Sequence, residues 1–142
     1  MKRMGLGLTA LVIGTGLAGA AIAADVTVNL TGVQPRGGRM LVSLQTADEF
    51  MKPEGRYGAI GAGDVTGDET LVVRDVPPGE YAVMVLHDAD GDMRMARAPD
   101  GKPGEGWGMS GQWTRGQRPG FAEVKITVPA DGTAVAVPLV YP

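Results

Sequence analysis

Hydrophobic residues alternate with polar ones at a period of two along much of this 142-residue chain. Successive side chains of a β-strand point to opposite faces, whereas a helix repeats every 3.6 residues. A chain patterned in this way must bury one face of a sheet. In residues 25–31, Val26, Val28 and Leu30 share a face while Thr27 and Asn29 take the other. Met40, Val42 and Leu44 repeat the pattern after a turn at Pro35-Arg36-Gly37-Gly38, and residues 71–75 add a third run. Tyr81 to Leu86 is apolar on both faces, which suits a central strand. Ala122, Val124, Ile126 and Val128 alternate with Glu123, Lys125 and Thr127, and Val135, Val137, Leu139 and Tyr141 follow the Asp131-Gly132 turn. Pro138 has no amide to donate, so this last strand belongs at a sheet edge. Short strands separated by Gly/Pro turns predict an all-β chain, a single antiparallel β-sandwich of about seven strands. One helical turn is expected at Thr46-Ala47-Asp48-Glu49, a capping-box sequence. The Gly-rich residues 54–68 are expected to be loop.

Residues 1–23 read as an export signal. Lys2 and Arg3 precede an uncharged apolar run, Leu6 to Ala18, and Ala21-Ile22-Ala23 supplies a small-x-small cleavage pattern before Ala24. The run is short and rich in Gly and Ala, which argues against a membrane anchor. Residues 24–142 are then one periplasmic or secreted domain with no membrane span. The chain has no cysteine, so it forms no disulfide and depends on core packing. Losing Lys2 and Arg3 takes the net charge from −3 to −5. With no Lys/Arg run, nucleic acid and anionic membrane surfaces are not expected partners.

A 34-residue segment, His87 to Gly120, separates the central strand from the next run. It holds the single histidine, both tryptophans, eight glycines and the alternating acids Asp88, Asp90 and Asp92. Connections longer than about 12–15 residues are uncommon and are usually either functional or disordered.

Val76-Pro77-Pro78-Gly79-Glu80-Tyr81-Ala82-Val83 resembles the turn and strand of transthyretin-like sandwich domains. More specific are His87-Asp88-x-Asp90-Gly91-Asp92, Gly101-x-Pro103-x-Glu105-Gly106-Trp107-Gly108-Met109-Ser110 and Pro119-x-Phe121. Together they resemble the bacterial exported family called domain of unknown function 2141, over essentially all of residues 24–142. The resemblance implies an exported sandwich of the transthyretin or immunoglobulin kind and brings no established activity. Where that family has a Gly and then an Asp after the acidic pair, this chain has Met93 and Ala96. The family's second aromatic is Met109 here, and the Asn after its Ser is Gly111. These departures weaken any metal role in the loop.

Asp88, Asp90 and Asp92 suit calcium, which takes six to eight oxygens. An EF-type loop counted from Asp88 would need Gly at its sixth position and a bidentate acid at its twelfth, where Met93 and Pro99 stand. A looser site would borrow Asp100, Glu105 or backbone carbonyls. The competing expectation is a solvated turn whose carboxylates bond their own backbone amides. His87 shares a face with Tyr81, Val83 and Val85. It is expected to pin the loop through a backbone carbonyl and a carboxylate, Asp88 or Glu105, rather than to bind metal. Met93, Met95 and Met109 with His87 make a soft but sparse set for copper. Trp107 is expected to plug the open end of the sandwich, and Trp113 to offer an exposed contact. A Ser110–His87–Asp hydrolase ranks third, since no nucleophile elbow or oxyanion hole is evident. The single histidine excludes the two-His, two-Tyr iron site of intradiol dioxygenases. The expected function is a non-catalytic module binding an exported protein, a glycan or another envelope component. Its candidate residues are His87, Glu105, Trp107, Ser110 and Trp113. Calcium binding at Asp88, Asp90 and Asp92 is the leading alternative.

Overall fold

A computed structural model describes residues 22–53 and 55–142. The expected leader, apart from Ile22 and Ala23, lies outside these residues. The elements are β1 (Ala24–Val33), β2 (Arg39–Gln45), β3 (Tyr57–Ala62), β4 (Gly67–Val76), β5 (Gly79–Asp88), β6 (Gly106–Met109), α1 (Phe121–Val124), β7 (Lys125–Val128) and β8 (Thr133–Pro138). One sheet has the order β4-β1-β8, and the other β3-β2-β5-β6, with β7 also paired to β5. The alternating residues fill the space between the sheets: Val26, Val28 and Leu30 meet Met40, Val42, Leu44, Val83 and Val85. Removing such side chains from water contributes about 1.5–3 kcal/mol each, which is what lets a cysteine-free chain hold this form. The all-β sandwich expected from the pattern is the fold observed.

Four local expectations are corrected. Residues 57–62, expected as loop, form β3, and β4 begins at Gly67. The turn at Thr46 makes half of a capping box: the Thr46 amide donates to Glu49 Oε2 (3.1 Å), while the Glu49 amide takes the Thr46 carbonyl (3.1 Å). The helix lies instead at Phe121–Val124, where the Gly120 amide donates to Glu123 Oε2 (2.7 Å), and the strand expected from Ala122 begins at Lys125. Finally, the sandwich is not wholly antiparallel, because β8 runs parallel to β1.

Central β5 organises the rest. Its Met84–His87 half pairs with β6 and its Gly79–Ala82 half with β7, so β6 and β7 lie end to end along one edge. Tyr81 opens this strand, and its hydroxyl donates to the Pro77 carbonyl (2.9 Å), tying the Pro77-Pro78 turn to the core. Leu139 still donates to the Thr31 carbonyl of β1 (2.9 Å), and beyond it the chain crosses to β6. The Trp107 amide donates to the Val140 carbonyl (3.0 Å) and the Val140 amide to the Trp107 carbonyl (2.8 Å). That bridge stitches the two sheets together along one side.

Candidate functional site

The long segment is not one loop. β6 divides it, and the candidate residues fall in three separate places.

His87 points between the sheets and is 1% exposed. Nε2 lies 2.9 Å from the Gly37 carbonyl, which can only accept, so Nε2 carries the proton. Nδ1 then accepts from the Tyr141 hydroxyl at 2.8 Å, and that oxygen accepts the Gln34 amide at 3.0 Å. His87 donates to a backbone carbonyl, as expected, but to that of the β1–β2 turn and not of the segment that follows it, and its second partner is Tyr141 and not Asp88 or Glu105. Opposite His87 in register is Gly106, where a Cβ would overlap the Tyr141 ring. Both ring nitrogens are engaged, so the Ser110–His87 pair of a hydrolase does not form. Ser110 is fully buried; its hydroxyl accepts the Val83 amide (2.9 Å) and donates to the Val124 carbonyl (2.5 Å), fastening α1 to β5.

The acidic turn is the second place. Asp88 Oδ1 accepts the amides of Gly91 (3.0 Å) and Asp92 (3.1 Å), and Oδ2 accepts that of Met93 (3.1 Å). Arg39, its register partner on β2, stands 3.9 Å from Oδ2. Glu105 clamps the same loop from its far end, accepting the Ala89 amide (2.9 Å) and the Ala96 amide (3.0 Å). Both carboxylates are buried. Oxygens of Asp88, Asp90 and Glu105 lie within 4.8 Å of one another. Asp92 is not in this group; its Oδ1 takes the Arg94 amide (2.8 Å). Of the three acids expected from sequence, Asp88 and Asp90 converge, and Glu105 stands with them. A carboxylate offers about four lone-pair sites, so three amides on Asp88 and two on Glu105 leave some capacity free. The Asp92 amide that Asp90 accepts lowers its pKa. Desolvation, the Asp92 charge and hydrogen bonds shared with Asp88 and Asp92 outweigh that, and the net shift is upward from 3.8.

The third place is the outer face of the larger sheet. Trp107 projects there instead of plugging the sandwich end, because it alternates with Gly106 and Gly108, which face the interior. It stacks on Trp113 with ring centroids 4.6 Å apart and planes at 28°. Trp113 is half-buried and donates from Nε1 to the Met109 carbonyl (3.1 Å), so it is not the free contact expected. Around the pair, Met84, Met109, Val124, Phe50 and Phe121 make a second, smaller core on this outer face.

Beside this small core the face stays open. Register aligns Ile60, Leu41, Leu86 and Trp107 in one row across β3, β2, β5 and β6. Outer positions of a solvated sheet are ordinarily polar, yet all four here are apolar. The row floors a groove of about 1540 Å³, walled by residues 51–53 and 55, by residues 93–95, 97–98 and 100–103, and by residues 115–119. Sequence reasoning missed it, although Leu41 among the inward residues Met40, Val42 and Leu44 was the available signal.

Fold and sites together define an all-β sandwich with a buttressed acidic turn and an apolar groove on its outer sheet face. The family model for uncharacterized proteins conserved in bacteria, DUF2141, matches residues 28–136, and the chain belongs to that family. No curated protein and no solved structure matches it significantly. Among the described residues, no helix is long and apolar enough to cross a membrane.

Proposed function

We propose that this chain is a non-catalytic binding module, working outside the cytoplasm, whose contact surface is the groove on the outer face of the larger sheet. One observation carries the reading: the unbroken apolar row Ile60–Leu41–Leu86–Trp107 lies open, with Ile60 63% exposed. Monomeric proteins rarely leave contiguous apolar surface of this kind uncovered, and such patches mark binding sites. The leader-like residues 1–23 support the location, and the partner is an exported protein or another envelope component. The test uses a neutral apolar dye, N-phenyl-1-naphthylamine, whose emission rises in apolar surroundings. The parent should bind it saturably and quench the Trp107–Trp113 emission, and Ile60→Glu should abolish both effects. Absence of saturable binding by the parent would remove the groove as a site.

A second reading is calcium binding by Asp88, Asp90 and Glu105, the three carboxylates whose oxygens converge. It is favoured by Met93, at the sixth position counted from Asp88, which has the left-handed backbone (φ 62°) that an EF-type loop assigns to glycine. A ligand that binds only the folded state raises its stability, by about 2.7 kcal/mol at a hundred times Kd. Calcium should therefore raise the melting temperature of the parent above its value in chelator, and leave Asp90→Ala unmoved. Equal melting in calcium and chelator would dispose of this reading.

A further inference from the structure

The charges around the groove say what kind of occupant it accepts. The whole chain is net negative, at −3. Yet among the described residues lining the groove stand six cationic side chains and a single acidic one, Asp100, which is itself paired to Lys102 at 3.1 Å. Arg94, Arg97, Arg115 and Arg118 have no carboxylate partner among the described residues within salt-bridge distance. Arg97 and Arg115 are held in place by backbone carbonyls, those of Gly101 (3.1 Å) and Tyr141 (2.7 Å), which leave their charge unneutralised. Like charges gathered around an apolar floor repel one another, and an anionic occupant relieves that repulsion. The floor and rim also carry the side chains suited to an adaptable contact. Of the five large hydrophobics most exposed among the described residues, Met51, Ile60 and Met93 lie here. Methionine is flexible and polarizable, and surfaces rich in it accept polypeptide segments of varied shape.

We infer that the groove receives an acidic amphipathic segment of a partner polypeptide, apolar side chains on the Ile60–Trp107 row and carboxylates against Arg94, Arg97, Arg115 and Arg118. This rests on the groove being the contact surface. Size favours polypeptide over a small molecule: the groove's roughly 1540 Å³ exceeds the range of about 300–1,000 Å³ usual for small-ligand pockets. At the β6 side no strand can add, because the outer edge of β6 is already occupied by Val140, and the apolar row offers side chains rather than backbone.

The experiment titrates two labelled peptides of about 18 residues, five helical turns, by fluorescence anisotropy. Both carry Leu and Met on one face; one has Glu on the other face and one has Lys. The Glu peptide should bind at least about tenfold more tightly in low salt, with the gap closing as added salt shortens the Debye length to roughly 8 Å. Arg94→Glu with Arg118→Glu should invert the preference, and Arg94→Gln with Arg118→Gln should shrink it, each with the melting temperature retained. Equal binding of the two peptides, or a preference that survives charge reversal, overturns the inference. So does binding confined to phosphatidylglycerol vesicles, or a self-association that excludes the Glu peptide. The neutral dye separates the two levels. Dye binding without peptide discrimination refutes only the acidic segment, whereas no dye binding refutes the groove as well.

Discussion

At residue 93 a methionine occupies a backbone conformation that glycine holds more easily. Its φ of 62° lets the Met93 amide reach Asp88 Oδ2 at 3.1 Å, while the side chain stands 57% exposed at the groove. A non-glycine residue loses about 1–2 kcal/mol in the left-handed region, and glycine gives back about 0.5–1 through backbone entropy. Met93→Gly is therefore expected to stabilise by up to about 1.5 kcal/mol, read as a higher urea midpoint at unchanged slope. Asp90 supplies a pH signature. A carboxyl whose folded pKa is raised binds its proton better in the folded state, so its charge opposes folding at neutral pH. That opposition fades as pH falls through the raised value and is gone below 3.8. In chelator, Asp90→Asn should melt above the parent at pH 7, and the difference should close as pH approaches 4. A constant difference would mean that the Asn amide, not the missing charge, is responsible.

Among the elements, β6 joins all three candidate places. Trp107 projects outward to the groove, Gly106 gives its space to the Tyr141 ring, and Glu105 just before it clamps the acidic turn. Gly106→Ala would push Tyr141 off His87 and Gln34, leaving buried groups unsatisfied at about 1–3 kcal/mol each. The expected outcome is a lower melting temperature together with weaker dye binding, because the Val140 bridge and the Trp107 position go together. Loss of stability with dye binding intact would separate β6 from the groove. The same glycines explain why β6 was illegible in sequence. Pattern reading looks for bulky inward residues, and here Tyr141, Leu139 and Pro138 fill that space from the last described residues of the chain. β3 was hidden likewise: at Gly58 a Cβ would crowd the Val42 carbonyl, and at Gly61 the Leu71 side chain. By contrast β1, β2 and β5, whose own side chains build the core, were readable directly.

For the molecule as a whole, the two cores share β5. Val83 and Val85 face the sandwich while Ala82 and Met84 support the Trp107–Trp113 cluster. Neither core can be lost without the other, so tryptophan emission and far-UV circular dichroism should melt in one coincident transition. An earlier transition in the emission would mark the outer cluster as a separately folding unit. Alternation determined that this chain forms a sandwich, because period-two burial has few other solutions; the doubly apolar run of β5 made it central, and the missing amide of Pro138 put its strand at an edge. Sequence also read His87 as a residue that pins backbone through a ring nitrogen, which the Gly37 carbonyl contact matches. Which groups meet was decided only in three dimensions. Glu105 joins Asp88 and Asp90 across a folded loop, Tyr141 returns from the far end of the chain to His87, and four scattered arginines gather around one apolar row. Local pattern reports which way a side chain points; register and chain return decide what it then faces.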